Sequence, residues 1–393
     1  MIIPSANRLQ QVEEYYFSRK LQEVRRLISE GRDIINLGIG NPDMMPSAET
    51  VDMLNHAASS EGNHGYQPYR GIPELRQAMA DWYQRTYQIK LDADSQILPL
   101  MGSKEGIFHI SMAFLNRGDR ILSPNPGYLA YPAVARIVGA EPLFYDLTDE
   151  SNWLPDLDAL ARHDLSNVKL MWVNYPHMPT GAIADTSAFQ KLVDFARQHQ
   201  ILLCHDNPYS LILNGDPRSI FNAGEVFDCC IELNSLSKSH NMAGWRIGMA
   251  IGRSDYLDAI LKVKSNLDSG MFLAMQKAAV SALGNSADWH HAQNQVYTKR
   301  KKLIFELLDQ LGCSYKKESA GMFVWAKAPE KITDIEAFLD DILYSEGIFF
   351  APGKIFGSNG EGYIRASLCA PESRIKMAIE RVKERQALRP LGT

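Results

Sequence analysis

Seven short apolar runs recur between residues 97 and 251, at 97–100, 121–122, 143–145, 168–173, 201–204, 229–233 and 247–251. Between several of them the apolar residues fall at helical spacing instead, at 104–115, 128–138 and 186–199, and again at 255–263. A run such as Val168-Lys-Leu-Met-Trp-Val173 lacks the alternation of a strand with one wet face, so both of its faces must be covered. A strand followed by a helix of this length returns to pair in parallel. The pattern therefore predicts an α/β unit with a mainly parallel sheet of the seven-stranded type. In such a sheet the loops after the strands converge on one edge, and ligands gather there.

The texture changes near residue 285. Long helical patterns at 289–311, 334–345 and 372–385 enclose strand-like runs at 322–325, 348–350 and 362–368, which reads as a smaller α+β unit. At the other end, Val12, Tyr16, Leu21, Val24, Leu27 and Ile28 recur at helical spacing over residues 10–30, and Gly31 stops that helix. The expected division is a large domain over 46–284 and a small domain built from 1–45 with 285–393.

Composition narrows the classes further. The 393 residues are 45% hydrophobic and 22% charged, enough for a large core in each unit. A net charge of −5 offers no basic excess for nucleic acid. No apolar run is long enough to cross a membrane, and the first residues lack the charged, apolar and small-residue sequence of a signal peptide. The five cysteines show no metal-like pairing, and Cys229-Cys230 sit in an apolar run as buried, reduced thiols would. A cytoplasmic protein with no metal is the expectation.

Chemistry concentrates where the strands end. Ser235-Leu-Ser237-Lys238 follows the run 229–233, and Arg246 comes eight residues after the lysine. A lysine there is partly desolvated, which lowers its pKa and makes its amine nucleophilic. The serines and the arginine offer hydroxyls and a forked cation to a phosphate. Gly102-Ser103-Lys104 opens a helix, whose N-terminal N–H groups bind anions. Tyr128 follows Pro124-Asn-Pro-Gly127 and can present its ring to a flat ligand. Asn174-Tyr-Pro-His177-Met178-Pro-Thr-Gly181 forms a tight loop after the run 168–173. Asp206, in His-Asp-Asn-Pro-Tyr209, can hold a pyridine nitrogen protonated. Each segment has an ordinary structural explanation alone, as a cap, a turn or a packing aromatic. Gly38-Ile-Gly40-Asn-Pro-Asp43 lacks the third glycine of a dinucleotide fingerprint.

As a set and in this order, these segments resemble the pyridoxal-phosphate-dependent class I/II aminotransferases, the superfamily of aspartate aminotransferase. The likeness runs from Ile35 to Arg365 and implies the aminotransferase-like fold, PLP fold type I. It implies a Schiff base on Lys238, which also moves the proton between the substrate Cα and the cofactor. It implies Asp206 under the ring nitrogen, Tyr209 at the ring hydroxyl and Tyr128 against the ring face. Gly102, Ser103, Lys104, Ser235, Ser237 and Arg246 match the phosphate cradle, and Asn174 belongs with the cofactor-binding set. Arg365 matches the clamp on the substrate α-carboxylate, and Gly38 lies in the loop covering the substrate. Tyr66 is similar to a tyrosine that reaches the phosphate of a neighbouring subunit, which implies a homodimer with shared sites.

One position departs. The family loop carries Asn directly before Pro-Thr-Gly, where it bonds the ring hydroxyl, and here Met178 stands. Asn174 or His177 then compensates, or Tyr209 acts alone. The implied reaction is amino transfer between an L-amino acid and a 2-oxo acid, with 2-oxoglutarate and glutamate as one pair. The local wording is most similar to the branch with diaminopimelate-type aminotransferases. Recognition of a side-chain carboxylate needs another arginine, with Arg70 and Arg19 as candidates. The alternatives are a PLP-dependent C–S β-lyase, which shares the first deprotonation, and a PLP-sensing regulator, which needs an appended DNA-binding module.

Overall fold

A computed structural model describes residues 3–11 and 16–388. All seven apolar runs form strands of one sheet, in the order Ile97–Leu100, Gly248–Ile251, Cys230–Ser235, Leu202–Asp206, Val168–Val173, Arg120–Asn125, Glu141–Asp146. Six strands point the same way, and Gly248–Ile251 runs against them. Cys230–Ser235 is buried along its whole length, whereas the edge strand Glu141–Asp146 buries only Tyr145. That contrast explains why the central runs lack alternation. Glu232, inside a fully buried strand, accepts from the Tyr83 hydroxyl at 2.7 Å, from Ile220 N at 2.9 Å, and lies 2.7 Å from His205 Nδ1. A buried carboxylate persists because it is bonded in this way.

The expected helices appear as Ser103–Phe114, Ala130–Val138, Thr186–Gln198 and Ser254–Lys264. The second begins later than the pattern suggested, so Tyr128 lies in the turn after Asn125 rather than on the helix. Three helices carry no strong sequence signal: Ala48–Ala58, Pro73–Tyr87 and Leu273–Leu283. The first buries only Thr50 and Ala57, so its apolar stripe is too thin to read. The second starts on Pro73, a favoured first helical residue, and buries Leu75, Met79 and Tyr83.

The C-terminal region forms an antiparallel sheet in the order Ala351–Pro352, Tyr363–Ser367, Phe323–Lys327, Ser314–Tyr315. Ala287–Gln310, Ile335–Glu346 and Glu372–Leu388 are its long helices. Ile35–Asn36 pairs in parallel with Ile348–Phe349, which carries the N-terminal segment onto this region. The helix expected over 10–30 is a 3-10 turn at Asn7–Gln11 and a helix at Tyr16–Ser29; Val12 lies outside the described residues. Its Lys20 donates to Asp340 at 2.6 Å, fixing it against Ile335–Glu346. No helix among the described residues is long and apolar enough to cross a membrane.

Candidate active site

Because six strands are parallel, their C-terminal ends share one edge of the sheet, and the reversed strand begins there. A cavity of about 510 Å³ opens at that edge. Lys238 reaches it from the short helix Leu236–Ser239, whose first turn is capped by Ser235 Oγ accepting from Ser237 N at 3.1 Å. Its Nζ donates to Gly40 O at 2.6 Å. Burial depresses the ammonium pKa; Arg365 and Arg246 add to the effect and Cys369 opposes it.

A corner with the groups an anion needs is assembled from two strand ends. Arg246 sits just before the reversed strand with φ 57°, a left-handed conformation, and its Nη1 donates to Ala243 O at 2.9 Å and Ser237 Oγ at 3.3 Å. Gly102 (φ 89°) caps helix Ser103–Phe114, and a Cβ there would lie 2.2 Å from Arg246 Nη2. Only glycine lets the guanidinium lie against the start of that helix. Ser103, Lys104, Ser235 and Ser237 line the same corner, where burial and Arg246 depress Lys104. Helix N–H groups, hydroxyls and two cations are what a phosphate dianion requires.

In the same lining, Asp206 Oδ2 accepts from the Tyr131 hydroxyl at 2.9 Å, while the buried Oδ1 has no hydrogen-bond partner. Tyr131 is itself stacked on Trp172, with ring centroids 4.9 Å apart. Burial pushes the Asp206 pKa up to about 6; Tyr131 and His205 oppose the rise and Glu232 adds to it. A pyridinium N–H would satisfy the lone oxygen. The sign of the pH effect follows. A carboxyl raised from 3.8 to about 6 stabilises the fold below pH 4, and that contribution is lost as pH rises through 6. At about 1.4 kcal/mol per unit, cofactor-free wild type should lose about 3 kcal/mol more over this window than Asp206→Asn. Urea unfolding of both proteins at pH 4 and pH 7 measures the difference, and equal losses would contradict it.

The other expected residues fall into three groups. Tyr128, Asn174 and Tyr209 line the cavity. Asn174 is occupied at both ends, donating to Asp206 O at 2.6 Å and accepting from Met178 N at 2.7 Å. His177 is buried outside the cavity lining, 2.8 Å from Thr180 Oγ1, and burial lowers its pKa to about 3. Tyr66 is 91% exposed and outside the cavity. Arg70 pairs with Asp258 and Arg19 is exposed, so neither arginine lines this cavity.

Arg365 enters from the strand Tyr363–Ser367. Its Nη2 donates to Gly38 O at 2.7 Å and its Nη1 to Met178 Sδ at 3.1 Å. Three phenyl rings surround the guanidinium carbon, at 4.0 Å (Phe323), 4.5 Å (Phe356) and 5.2 Å (Phe17). Gly38 and Gly40 thus hold Arg365 and Lys238 from adjacent points of one loop. A Cβ on Gly40 would sit 2.2 Å from the Phe323 ring, so the loop approaches this closely only with glycine. Sequence reasoning missed the three phenylalanines and Tyr131. Tyr131 alone had a local signal, since it lies three residues after Tyr128, at the start of the helix that follows that turn.

The family model for aminotransferase class I and II matches residues 32–382. The chain belongs to that family. LL-diaminopimelate aminotransferase of Dehalococcoides mccartyi strain BAV1 is 39% identical over 379 residues, covering 96% of this chain and 97% of that one. The enzyme of the same name from Moorella thermoacetica is 40% identical over 380 residues, covering 96% and 97%. Substrate-bound BacF of Bacillus subtilis superposes with a TM-score of 0.94 at 31% identity, each chain covered fully. The protein is accordingly a pyridoxal-phosphate-dependent aminotransferase of the aspartate aminotransferase fold type, acting on amino acids and 2-oxo acids. The anion corner, the partnerless Asp206 oxygen and the depressed lysine fit that cofactor.

Proposed function

We propose that this aminotransferase moves the amino group of an L-amino acid to a 2-oxo acid, with 2-oxoglutarate as one acceptor, at the edge carrying Lys238, Asp206 and Arg365. The observation that carries the assignment is the pairing of Lys238 Nζ with Gly40 O and Arg365 Nη2 with Gly38 O. It brings a nucleophilic amine and a carboxylate clamp together in the cavity that Asp206 also lines. When bound, pyridoxal phosphate supplies the carbonyl that condenses with amines and a ring that accepts charge from Cα. Lys238, shifted toward its neutral form by burial, holds the cofactor and carries the Cα proton. Arg365 grips the α-carboxylate through a fork that lysine lacks. Asp206 holds the ring nitrogen, and Tyr131 orients Asp206. Arg246, Lys104, Ser103, Ser235, Ser237 and the N–H groups after Gly102 bind phosphate. Tyr128 covers the ring, Tyr209 donates to its hydroxyl, and Asn174 fixes the loop that carries Met178.

The same reading places the pocket between a large domain over 46–284 and a small one from 1–45 with 285–393. It also takes the working form as a cytoplasmic homodimer. Tyr66 and Phe272 are both exposed, and the segments bearing them meet where His64 lies 5.6 Å from the Phe272 ring. Pairing that surface with a second copy would bury both side chains and deliver Tyr66 to the other phosphate site. The assay mixes purified holoenzyme with a panel of L-amino acids, LL-diaminopimelate included, and 2-oxoglutarate. Glutamate should form with at least one donor, and none with any donor would refute the activity.

A further inference from the structure

His205 directly precedes Asp206 and lies outside the cavity lining. Successive side chains of a strand face opposite ways. Asp206 turns to the cavity, and His205 turns to the helix Thr186–Gln198, its ring 5.0 Å from Phe189. His205 and Glu232 stand directly across the register of their two parallel strands, and both are fully buried. A carboxylate can only accept, so His205 Nδ1 donates to Glu232 Oε2 at 2.7 Å. The Tyr83 hydroxyl and Ile220 N hold the same carboxylate. The other ring nitrogen, Nε2, is thereby aimed at the main chain of Tyr175, 3.0 Å from its O and 3.3 Å from its N. Tyr175 is the second residue of the loop 174–181, which brings Met178 Sδ to 3.1 Å from Arg365 Nη1. Asn174, the first residue of that loop, donates to Asp206 O at 2.6 Å. Two adjacent residues of one strand therefore clamp two adjacent residues of the loop.

We infer that His205 and Glu232 are positioning residues for amino transfer. Glu232 orients the imidazole, and the imidazole pins the loop that sets Met178 against Arg365. The inference rests on the reading of Arg365 as the carboxylate clamp and adds a support for it behind the sheet. Apolar side chains of similar volume would pack this layer about as stably as a buried polar pair. None of them could bond the Tyr175 main chain. With the pin removed the loop loosens, Met178 no longer steadies the guanidinium, and both substrates bind more weakly. Asp206 keeps its bond from Tyr131, so the cofactor side of the cavity is spared.

Side-chain length separates the two bonds of the imidazole. The amide of Asn overlaps Nδ1 of a histidine it replaces, and the amide of Gln overlaps Nε2. His205→Asn therefore keeps the bond to Glu232 and loses Tyr175, whereas His205→Gln does the reverse. Hydrogen exchange over residues 174–182, read by mass spectrometry with and without cofactor, reports the loop. Steady-state kinetics of the holoenzyme with 2-oxoglutarate and the best donor of the panel reports the clamp. His205→Asn should speed loop exchange and raise both KM values about tenfold, the upper end of one net hydrogen bond. Its kcat should change little, and His205→Gln should recover most of the loss. Glu232→Gln keeps the volume but gives the imidazole a neutral partner, and should loosen the same loop about threefold. A pair that serves stability alone would rank the variants by the Glu232 bond, with His205→Gln the worse in urea unfolding, loop exchange and KM. That ranking, or loop exchange or KM unmoved by His205→Asn and Glu232→Gln, overturns the positioning role and leaves the aminotransferase reading standing. No turnover by wild type with any donor overturns the aminotransferase reading, and the positioning role with it.

Discussion

Lys238→Ala should lower turnover by about 10⁴-fold, the upper end of what a positioned proton-transfer group contributes. The cofactor should still bind, more weakly, because the phosphate corner and Asp206 are untouched. Nor should the fold suffer. The amine is buried and its pKa is depressed, so its charged form is disfavoured in the native state and its removal leaves no unpaired partner except Gly40 O. Thermal unfolding of the cofactor-free variant should therefore match or exceed wild type. Borohydride treatment of loaded wild type should attach the cofactor to the peptide containing Lys238. Labelling of Lys104, the other lysine in the cavity, would move the nucleophile to the wrong side of the phosphate corner and reject the assignment.

Arg365→Lys should raise KM for both the amino acid and the 2-oxo acid. Its two nitrogens are fixed by Gly38 O and Met178 Sδ, and three phenyl rings strip it of water. A lysine at this position retains the charge and loses the fork. Truncating one partner of a buried charged pair costs about 2–5 kcal/mol, which corresponds to roughly 30- to 4,000-fold in binding. Steady-state kinetics at varied concentrations of each substrate measures both constants. A rise confined to one substrate, or none, would show that Arg365 is not the common carboxylate clamp.

Much of the site was legible because it is local to strand ends. Lys238, Asp206, Asn174 and Gly102 each lie within three residues of the end of a strand, and strands show as short apolar runs. Once the sheet is parallel, residues with these offsets must meet. The reversed strand Gly248–Ile251 was not marked by its composition, which is as apolar as that of its parallel neighbours. Its direction matters, because reversal is what brings Arg246 to the shared edge. The helices Ala48–Ala58 and Leu273–Leu283 pack on each other and escaped reading because the first buries only Thr50 and Ala57 and the second mostly alanines, too little apolar bulk for a clear stripe.

By itself the sequence determined the α/β class, the parallel sheet and the edge at which chemistry collects, which follow from hydrophobic periodicity and from the geometry of parallel pairing, both properties of short segments. The candidate cofactor residues came from the resemblance carried by the motifs at those strand ends. The tertiary structure alone decided that Phe17, Phe323 and Phe356 enclose Arg365, that Gly38 and Gly40 anchor the clamp and the nucleophile from one loop, and that Tyr66 faces outward. Those contacts join residues up to 327 positions apart. No local pattern encodes them, because side chains that distant become neighbours only when whole elements pack, and packing depends on the shape of every surface involved.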